Sequence, residues 1–174
     1  MRLFIIGYKS SGKSTIGRKL AARLKLKFID LDEVIERREG KSIPELYKEI
    51  GDDKFRYREW EALREVVMED DLVVSTGGGA PCHCDNMNLM EKYGEVIYIH
   101  LDNNTLAGRL KMATKDRPIV LNKSDEELHE YVADLRDRCE HHYMRAKYIV
   151  EGKDIRVEDI IQALDHDPDR PPQA

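Results

Sequence analysis

Residues 7–15, Gly-Tyr-Lys-Ser-Ser-Gly-Lys-Ser-Thr, have the composition and spacing of a loop that binds phosphate groups. The two glycines let the backbone wrap around an anion with its N–H groups pointing inward. Lys13 would contact the β- and γ-phosphates of a nucleotide, and the Ser14 hydroxyl would bind Mg²⁺. Tyr8 and Lys9 are expected to be loop residues without a specific role, because the motif leaves their positions open. The residues predicted to bind the nucleotide here are Gly7, Ser10, Ser11, Gly12, Lys13, Ser14 and Thr15.

Two carboxylates, Asp30 and Asp32, form a second chemical feature. They end the segment Phe28–Asp32, for which we expect a strand. Residues two apart on a strand share a face, and ligands of parallel sheets bind beyond the carboxyl ends of the strands. Beside a phosphate loop, one carboxylate would lie near Mg²⁺ and the other near an acceptor hydroxyl. The alternative is that Asp32 only caps a helix that starts at Glu33.

A run of three glycines, Gly77–Gly79, follows the apolar segment Leu72–Val74. Such a run would let a ligand approach the backbone and accept hydrogen bonds from its N–H groups. A flexible connector is the alternative interpretation. Positive charge for an anionic ligand would come from arginines, which bind carboxylates and phosphates in bidentate geometry. The candidates, each of which taken alone is more often a surface charge, are Arg56, Arg58, Arg117, Arg136, Arg138 and Arg145.

These residues need a scaffold, and the pattern of apolar runs indicates one. The runs that predict strands are 3–6, 28–32, 72–74, 96–101 and 148–150. The segments with helical patterns are 14–26, 53–68, 88–93, 104–111, 124–145 and 157–164. Because strands and helices alternate, a parallel sheet with right-handed crossovers is expected. The predicted fold is α/β, a three-layer α/β/α sandwich around a five-stranded parallel sheet.

The chain of 174 residues is expected to form one domain over 1–164. A polar stretch at about 113–123, which contains Arg117, separates two helices and is expected to act as a mobile lid. Residues 165–174 are rich in charge and proline, which predicts a disordered tail. No apolar run is long enough to span a membrane, and three cysteines are too few for a disulfide framework. A cytoplasmic monomer is the resulting expectation.

The charge balance limits the partners. Lys and Arg number 29 and Asp and Glu number 34, which gives a net charge of −5. An acidic chain argues against nucleic acid or an anionic membrane as a partner, because both require a basic face. The positive charge for an anionic ligand must therefore be local, and its predicted sources are Lys13, Arg56, Arg117 and Arg138.

The motifs, taken in chain order, resemble those of the shikimate kinase family, which is part of the nucleoside-monophosphate-kinase-like P-loop proteins. The resemblance covers about residues 2–164. The phosphate loop is shared by many kinases, whereas the combination of the D-x-D, F-R-x-x-E and G-G-G motifs is specific. The matching segments are Gly7–Thr15 with residues 16–21, Phe28–Asp32 with Ile35 and Glu36, Gly51 with Phe55–Glu59, Thr76–Gly79, and Arg117 with Pro118.

This resemblance implies ATP-dependent phosphorylation of the 3-hydroxyl of shikimate, in aromatic amino-acid biosynthesis, with ATP and Mg²⁺ as the cofactors. Asp32 would bind the shikimate hydroxyls and act as the base. Asp30 and Ser14 would hold Mg²⁺. Lys13 and Arg117 would stabilise the charge on the transferring phosphoryl group.

The resemblance also assigns the shikimate pocket, in which a helical region at about 33–61 takes part. Arg56 would pair with the shikimate carboxylate, and Glu59 would orient Arg56. Gly77, Gly78 and Gly79 would line the pocket.

Two arginine positions depart from the family pattern. A second carboxylate-binding arginine is expected in the pattern R-x-P-x-Y, but Tyr143 follows Arg138 by five residues and no proline lies between them. Counting back from Tyr143 places Cys139 at the arginine position, and one residue of slip is about 100° of helix. We assign the contact to Arg138, with the Cys139 register as the alternative. The arginine that stacks on adenine is assigned to Arg109, one position from its place in some relatives.

The sequence allows three other interpretations of its motifs. A related small-molecule kinase, acting on gluconate or a nucleotide, would share the phosphate loop and the lid. A GTP switch could read guanine with Asn122–Asp125, which fits N-K-x-D, but the D-x-x-G motif is missing and Ser124 or Asp125 could simply cap a helix. Cys82–Cys84 and Cys139–His142 could be drawn as a metal site, but C-x-C lacks the usual zinc spacing, so no role is assigned.

Overall fold

A computed structural model describes residues 1–113 and 123–169 of the chain. Within them, strands Arg2–Ile6 (β1), Lys27–Asp30 (β2), Leu72–Ser75 (β3), Glu95–Leu101 (β4) and Tyr148–Gly152 (β5) form one sheet. All pairings are parallel, and the spatial order is β2-β3-β1-β4-β5. The predicted five-stranded parallel sheet is confirmed.

The burial of the central strand β1 explains why its sequence is a continuous apolar run. It pairs with β3 on one side and with β4 on the other, and Leu3–Ile6 is fully buried. Crossover helices cover both faces of a parallel sheet, so its strands become near-continuous hydrophobic runs. The carboxyl ends of β1, β2 and β3 meet at one edge, where the site described below lies.

Helices in the described residues connect the strands, and a single 3₁₀ turn, Ala80–Cys82, follows the glycine run. The helix bounds are Lys13–Leu24 (α1), Leu31–Glu39 (α2), Ile43–Val66 (α3), Asn86–Tyr93 (α4), Asn103–Met112 (α5), Asp125–Tyr143 (α6) and Val157–Asp165 (α7). The predicted bounds of α1 and of α4 to α7 agree with these within two residues. No helix in this described part is both long and apolar enough to cross a membrane.

Helix α3 differs from the predicted segment 53–68, because it begins at Ile43, where Ser42 and Glu45 form a capping box. Gly51 interrupts it with a φ of 79°, a left-handed conformation that a side chain would strain. The kink separates the first part of α3 from the part that carries Arg56. Helix α3 packs against α2 and the 3₁₀ turn, which brings that second part to the carboxyl edge of the sheet.

The predicted lid and the predicted tail differ in how much of them the structure describes. Most of the predicted lid, including Arg117, lies outside the described residues. In the predicted tail, Asp167 accepts a hydrogen bond from the Tyr148 hydroxyl at 2.5 Å and pairs with Lys147 Nζ at 2.6 Å. The hydrogen bond from Lys147, followed by that from Tyr148, lowers the pKa of Asp167 to about 2. The first residues of the expected tail are therefore folded, which corrects its predicted start at 165.

Candidate active site

The phosphate loop lies between β1 and α1, and its geometry explains its glycines. A Cβ at Gly7 would lie 2.8 Å from Ser11 Oγ and 3.1 Å from the Ile99 carbonyl oxygen, so no side chain fits there. Gly12 has a φ of 92°, in the left-handed region. The Ser11 hydroxyl is buried and has no hydrogen-bond partner among the described residues. A buried orphan hydroxyl in a loop at a helix N-terminus fits a site for phosphate oxygens.

Lys13, the first residue of α1, turns its side chain into this loop. It is 8% exposed, and its Nζ donates a hydrogen bond to the Tyr8 carbonyl oxygen at 2.9 Å. The backbone N–H of Ser11 donates to the same oxygen at 3.1 Å. The amine predicted to contact the phosphates is therefore held inside the loop.

Oxygen-bearing side chains converge at the carboxyl ends of β2 and β3. Ser14 Oγ donates to Asp30 Oδ2 at 2.5 Å and lies 3.2 Å from Ser75 Oγ. Such hard oxygen ligands are the ones that Mg²⁺ prefers, and it usually binds one or two carboxylates together with substrate phosphates. The donor set around Ser14 and Asp30 therefore fits the predicted ion.

Asp32 lies in the first turn of α2 and not on the strand. Strand β2 ends at Asp30, whose Oδ1 accepts a hydrogen bond from the Asp32 backbone N–H at 3.1 Å and so caps the helix. The predicted strand face shared by the two carboxylates is wrong, and so is the alternative in which Asp32 is the cap. Burial, followed by the charge of Asp30, raises the pKa of Asp32 against the opposing effects of Lys13 and Lys9. A raised pKa makes this carboxylate a better proton acceptor.

The glycine run packs tightly against three functional side chains. A Cβ at Gly77 would lie 2.9 Å from Glu59 Oε1 and 3.0 Å from Asp32 Oδ1. A Cβ at Gly79 would lie 2.5 Å from Arg56 Nη2. Any side chain at these positions would displace a carboxylate or the guanidinium. The run is therefore closely packed against these side chains, and the alternative of a flexible connector does not fit.

Arg56 and Glu59 form an ion pair on the second part of α3. Arg56 Nη1 donates to Glu59 Oε2 at 2.9 Å, and Asp52 Oδ1 lies 3.4 Å from Arg56 Nε. Glu59 is 1% exposed, and this burial raises its pKa to about 7 despite the neighbouring guanidinium. Burial lowers the pKa of Arg56, but the charge of Glu59 and its neighbours more than offsets this effect, so the pKa is raised. The pair holds the guanidinium towards Gly79, as expected for an orienting role of Glu59.

A cavity of about 590 Å³ opens beside the phosphate loop. Arg109 lines it, donating hydrogen bonds to the carbonyl oxygens of Ser11 at 3.1 Å and Lys153 at 3.2 Å. Thr15 and residues 154–156 also line it. Its size suits a small-molecule ligand, which agrees with the predicted place of Arg109 beside the nucleotide. The loop after β5 was missed because no motif marks it, although it follows the carboxyl end of a predicted strand.

Helix α6 presents Cys139, and not Arg138, to the 3₁₀ turn. The Arg138 side chain is exposed, and its Nε donates to the Asp134 carbonyl oxygen at 3.3 Å, one turn earlier. The Cys139 thiol contacts the Cys82 thiol at the end of the 3₁₀ turn, and Cys82 also contacts the Tyr143 hydroxyl. Arg138 is thus exposed and Cys139 lies at the 3₁₀ turn, so this geometry favours the Cys139 register, while the carboxylate contact of Arg138 stays a prediction.

Most of the remaining candidates lie at the surface or outside the described residues, whereas Arg136 is partly buried and its Nη1 donates to His100 Nε2 at 2.8 Å. Arg58 and Arg145 form exposed ion pairs with glutamates. Arg117 and Asn122 belong to the segment that is not described. Ser124 caps α6 in a capping box, which is the alternative that the sequence analysis gave for Asn122–Asp125. The part of the chain that is described holds no group of three or more His, Cys, Asp or Glu side chains able to bind a metal by themselves.

Comparison with known proteins agrees with this geometry. A family model described as shikimate kinase matches residues 9–167. The shikimate kinase of Phocaeicola vulgatus is 40% identical over 162 residues, which cover 93% of this chain and 93% of that protein. The shikimate kinase of Bacteroides fragilis is 41% identical over 149 residues, which cover 86% of this chain and 83% of that protein.

Solved structures share the fold. The crystal structure of shikimate kinase from Bacteroides thetaiotaomicron has a TM-score of 0.87 at 36% identity and covers 95% of this chain and 96% of its own. The shikimate kinase of Acinetobacter baumannii, solved in complex with shikimate, has a TM-score of 0.79 at 30% identity, with 92% and 88% covered. With a family model that spans most of its length and curated relatives at this identity, the chain belongs to the shikimate kinase family.

Proposed function

We propose that this chain transfers the γ-phosphoryl group of ATP to the 3-hydroxyl of shikimate, giving shikimate 3-phosphate and ADP, in aromatic amino-acid biosynthesis. The observation that carries the proposal is the convergence of Asp32 and Arg56 on the glycine run Gly77–Gly79, beside the phosphate loop. A carboxylate suited to a hydroxyl and a guanidinium suited to a carboxylate would thus face one acceptor. Membership of the family supports the same reaction.

On the nucleotide side, the chain would act through electrostatics and positioning, since phosphoryl transfer needs little covalent chemistry from the protein. Lys13 would exchange its hydrogen bond to the Tyr8 carbonyl oxygen for contacts with the phosphates. Ser14 and Asp30 would hold Mg²⁺, which supplies charge neutralisation on the β- and γ-phosphates when bound. Arg109 would contact the adenine in the cavity beside the loop.

On the acceptor side, each group has a separate task. Asp32 would accept the proton of the 3-hydroxyl, for which its raised pKa is favourable. Arg56 would bind the shikimate carboxylate in bidentate geometry, with Glu59 fixing the plane of the guanidinium. Gly77–Gly79 would let the substrate approach the backbone closely.

The segment at about 113–123 would complete the site as a lid. We propose that it closes over the nucleotide and brings Arg117 to the phosphates. Closure would exclude water, which would otherwise hydrolyse ATP. The protein would act as a cytoplasmic monomer.

A coupled ADP-release assay tests the reaction. The purified chain is given ATP and Mg²⁺ with shikimate, gluconate or nucleoside monophosphates, and GTP replaces ATP in a parallel series. We expect ADP release with ATP that depends on shikimate and is abolished by EDTA. ADP release with gluconate or a nucleotide but not with shikimate at millimolar concentration would contradict the proposal.

A further inference from the structure

Tyr8, which the phosphate-loop motif leaves unspecified, has a buried side chain with a specific partner. It is 2% exposed, and its hydroxyl donates a hydrogen bond to Glu140 Oε2 of α6 at 2.6 Å. Tyr98 of β4 donates to both oxygens of the same carboxylate at 3.1 Å. His100 Nε2 lies 3.2 Å from Glu140 Oε1, and Arg136 Nη1 lies 3.9 Å from it. Glu140 therefore gathers hydrogen-bond donors and basic groups from the phosphate loop, β4 and its own helix.

The backbone of Tyr8 is the part of this residue that faces the chemistry. Its carbonyl oxygen accepts hydrogen bonds from the Ser11 N–H and from Lys13 Nζ, and so shapes the turn of the loop and holds the amine. Because the side chain is fixed by Glu140, the direction of this carbonyl is fixed as well. A shift of the Tyr8 ring would move the turn that carries the phosphate-binding groups.

A second residue of α6, Tyr143, also contacts the start of the loop. The ring of Tyr143 in α6 stacks on Tyr8 with 4.5 Å between the centroids, and its hydroxyl donates to the Gly78 carbonyl oxygen. A Cβ at Gly78 would lie 3.0 Å from the backbone nitrogen of Lys9, so the glycine run touches the loop directly. The Tyr8 ring is thus buried against α6, and the backbone at Lys9 contacts the glycine run, whereas the Lys9 side chain is exposed.

We propose that Tyr8 and Glu140 are a positioning pair, which anchors the phosphate loop to α6 and thereby sets the place of Lys13 for phosphoryl transfer. Neither side chain contacts the transferring group, so both act through Lys13 and the loop backbone. A partly buried hydrogen bond to a carboxylate is stronger than a neutral one, which suits an anchor. The inference rests on the proposed kinase reaction.

Tyr8→Phe removes the anchor and keeps the ring, and Tyr98→Phe is the matched control, since it removes a hydroxyl bonded to the same carboxylate from a strand outside the loop. We expect Tyr8→Phe to lower kcat by about 10-fold or more, as for a small misplacement of a reacting group. The KM for shikimate should change less than about twofold in Tyr8→Phe, because the loop does not bind the acceptor. The kcat of Tyr98→Phe should fall less than about threefold, because Tyr98 lies outside the loop. Circular dichroism melting verifies that both variants fold.

A double-mutant cycle with Glu140→Gln tests whether the two residues act as one unit. If they do, the loss of kcat in Tyr8→Phe/Glu140→Gln will be close to that of the larger single variant. Losses that multiply would overturn the pair, as would a Tyr8→Phe enzyme with the wild-type kcat or a Tyr98→Phe enzyme that loses as much as Tyr8→Phe.

Calorimetric titration with ADP and Mg²⁺ separates this inference from the proposed reaction. The anchor predicts weaker ADP binding in Tyr8→Phe than in Tyr98→Phe, whatever acceptor the enzyme uses. If the wild-type chain shows no shikimate-dependent ADP release, the proposed function fails and the ADP affinities decide the inference. Equal affinities in the two variants would contradict it.

Discussion

The phosphate loop and the acceptor pocket meet at the same edge of the sheet but are built in different ways. The loop is one continuous segment, residues 7–15, and most of its binding capacity lies in backbone groups shaped by two glycines. The proposed pocket would be assembled from α2, α3 and the glycine run, and it would depend on charged side chains such as Arg56 and Glu59. A contiguous motif holds its geometry locally, whereas the pocket depends on how separate helices are rotated against the sheet.

Variants of the loop and variants of the pocket are expected to change different kinetic constants. Changes in the loop should lower turnover, because its groups act on the transferring phosphoryl group. Changes in the pocket should raise the KM for shikimate, because its groups bind parts of the acceptor that do not react. A loop variant that changed mainly the KM for shikimate, or a pocket variant that changed mainly kcat, would contradict this difference.

Lys13→Ala is expected to have the largest effect. Removing one preorganised charged group from a phosphoryl-transfer site should lower kcat by about 10²–10³-fold or more. The KM for shikimate should stay within about threefold, because Lys13 lies in the loop and not at the pocket wall. Steady-state kinetics measure both constants, with the exposed Lys92→Ala of α4 as the control. A loss confined to the KM for shikimate would reverse the assignment.

Arg56→Lys tests the pocket while keeping a positive charge beside the buried Glu59. Lysine cannot reproduce the bidentate geometry, so the KM for shikimate should rise about 10-fold or more, with a smaller change in kcat. Arg58→Lys, two residues along α3 and exposed, is the matched control and should behave as wild type. An unchanged KM together with a collapsed kcat would show that Arg56 does not bind the carboxylate.

Glu59→Gln tests how the buried carboxylate links pH to the pocket. The folded-state pKa of about 7 lies above the ordinary value of 4.5, so the stabilising proton of Glu59 is retained below pH 4.5 and lost as pH rises through 7. Wild-type stability should fall by roughly 2–3 kcal/mol over that range from this group, and the glutamine variant should show a flatter profile. Urea unfolding between pH 5 and 8 measures the difference. Parallel profiles would contradict the assigned pKa.

The affinity for shikimate should change in the opposite direction to stability, because it should fall as pH falls. Below pH 7, protonation of Glu59 removes its charge from Arg56 and loosens the guanidinium, so the wild-type KM should rise by about threefold at pH 6. In Glu59→Gln, the KM should be raised at all pH values and independent of this titration. A variant that keeps the wild-type pH profile would assign the titration to another group.

Cys139→Arg tests the rotation of α6. Cys139 contacts Cys82 at the end of the 3₁₀ turn, and an arginine there should reach the proposed carboxylate subsite and lower the KM for shikimate by about twofold to threefold. Arg138→Ala should leave the KM within about twofold, because Arg138 is exposed. A rise in KM in Arg138→Ala, with no gain in Cys139→Arg in a folded enzyme, would restore the original assignment.

The same contrast explains which features could be predicted. The apolar strands and the loop followed from local patterns, because a buried parallel strand and a glycine-lysine motif each carry their signal in a few adjacent residues. The residues of the pocket were identified by type, but their placement was less certain. Asp32 belongs to α2 because the Asp30 side chain ends β2 with a capping hydrogen bond, which spacing alone does not reveal.

Errors and omissions in the prediction arose where distant elements meet. The orientation of Arg138 depends on the rotation of α6, and one residue of slip turns a side chain by about 100°. Tyr8 was expected to have no role, because its partner Glu140 lies on a helix far along the chain. The start of α3 at Ile43 was missed because the kink at Gly51 interrupts the helical period. Local sequence patterns contain none of these contacts.

The central claim is that this chain places a phosphoryl group on the 3-hydroxyl of shikimate. NMR spectroscopy of the product tests it most directly: the chain is incubated with ATP, Mg²⁺ and shikimate, and the coupling of phosphorus to the ring protons is measured. We predict a single phosphorylated product, with phosphorus coupled to the proton on carbon 3 of shikimate. A phosphate on another hydroxyl, or release of inorganic phosphate with unmodified shikimate, would contradict the account.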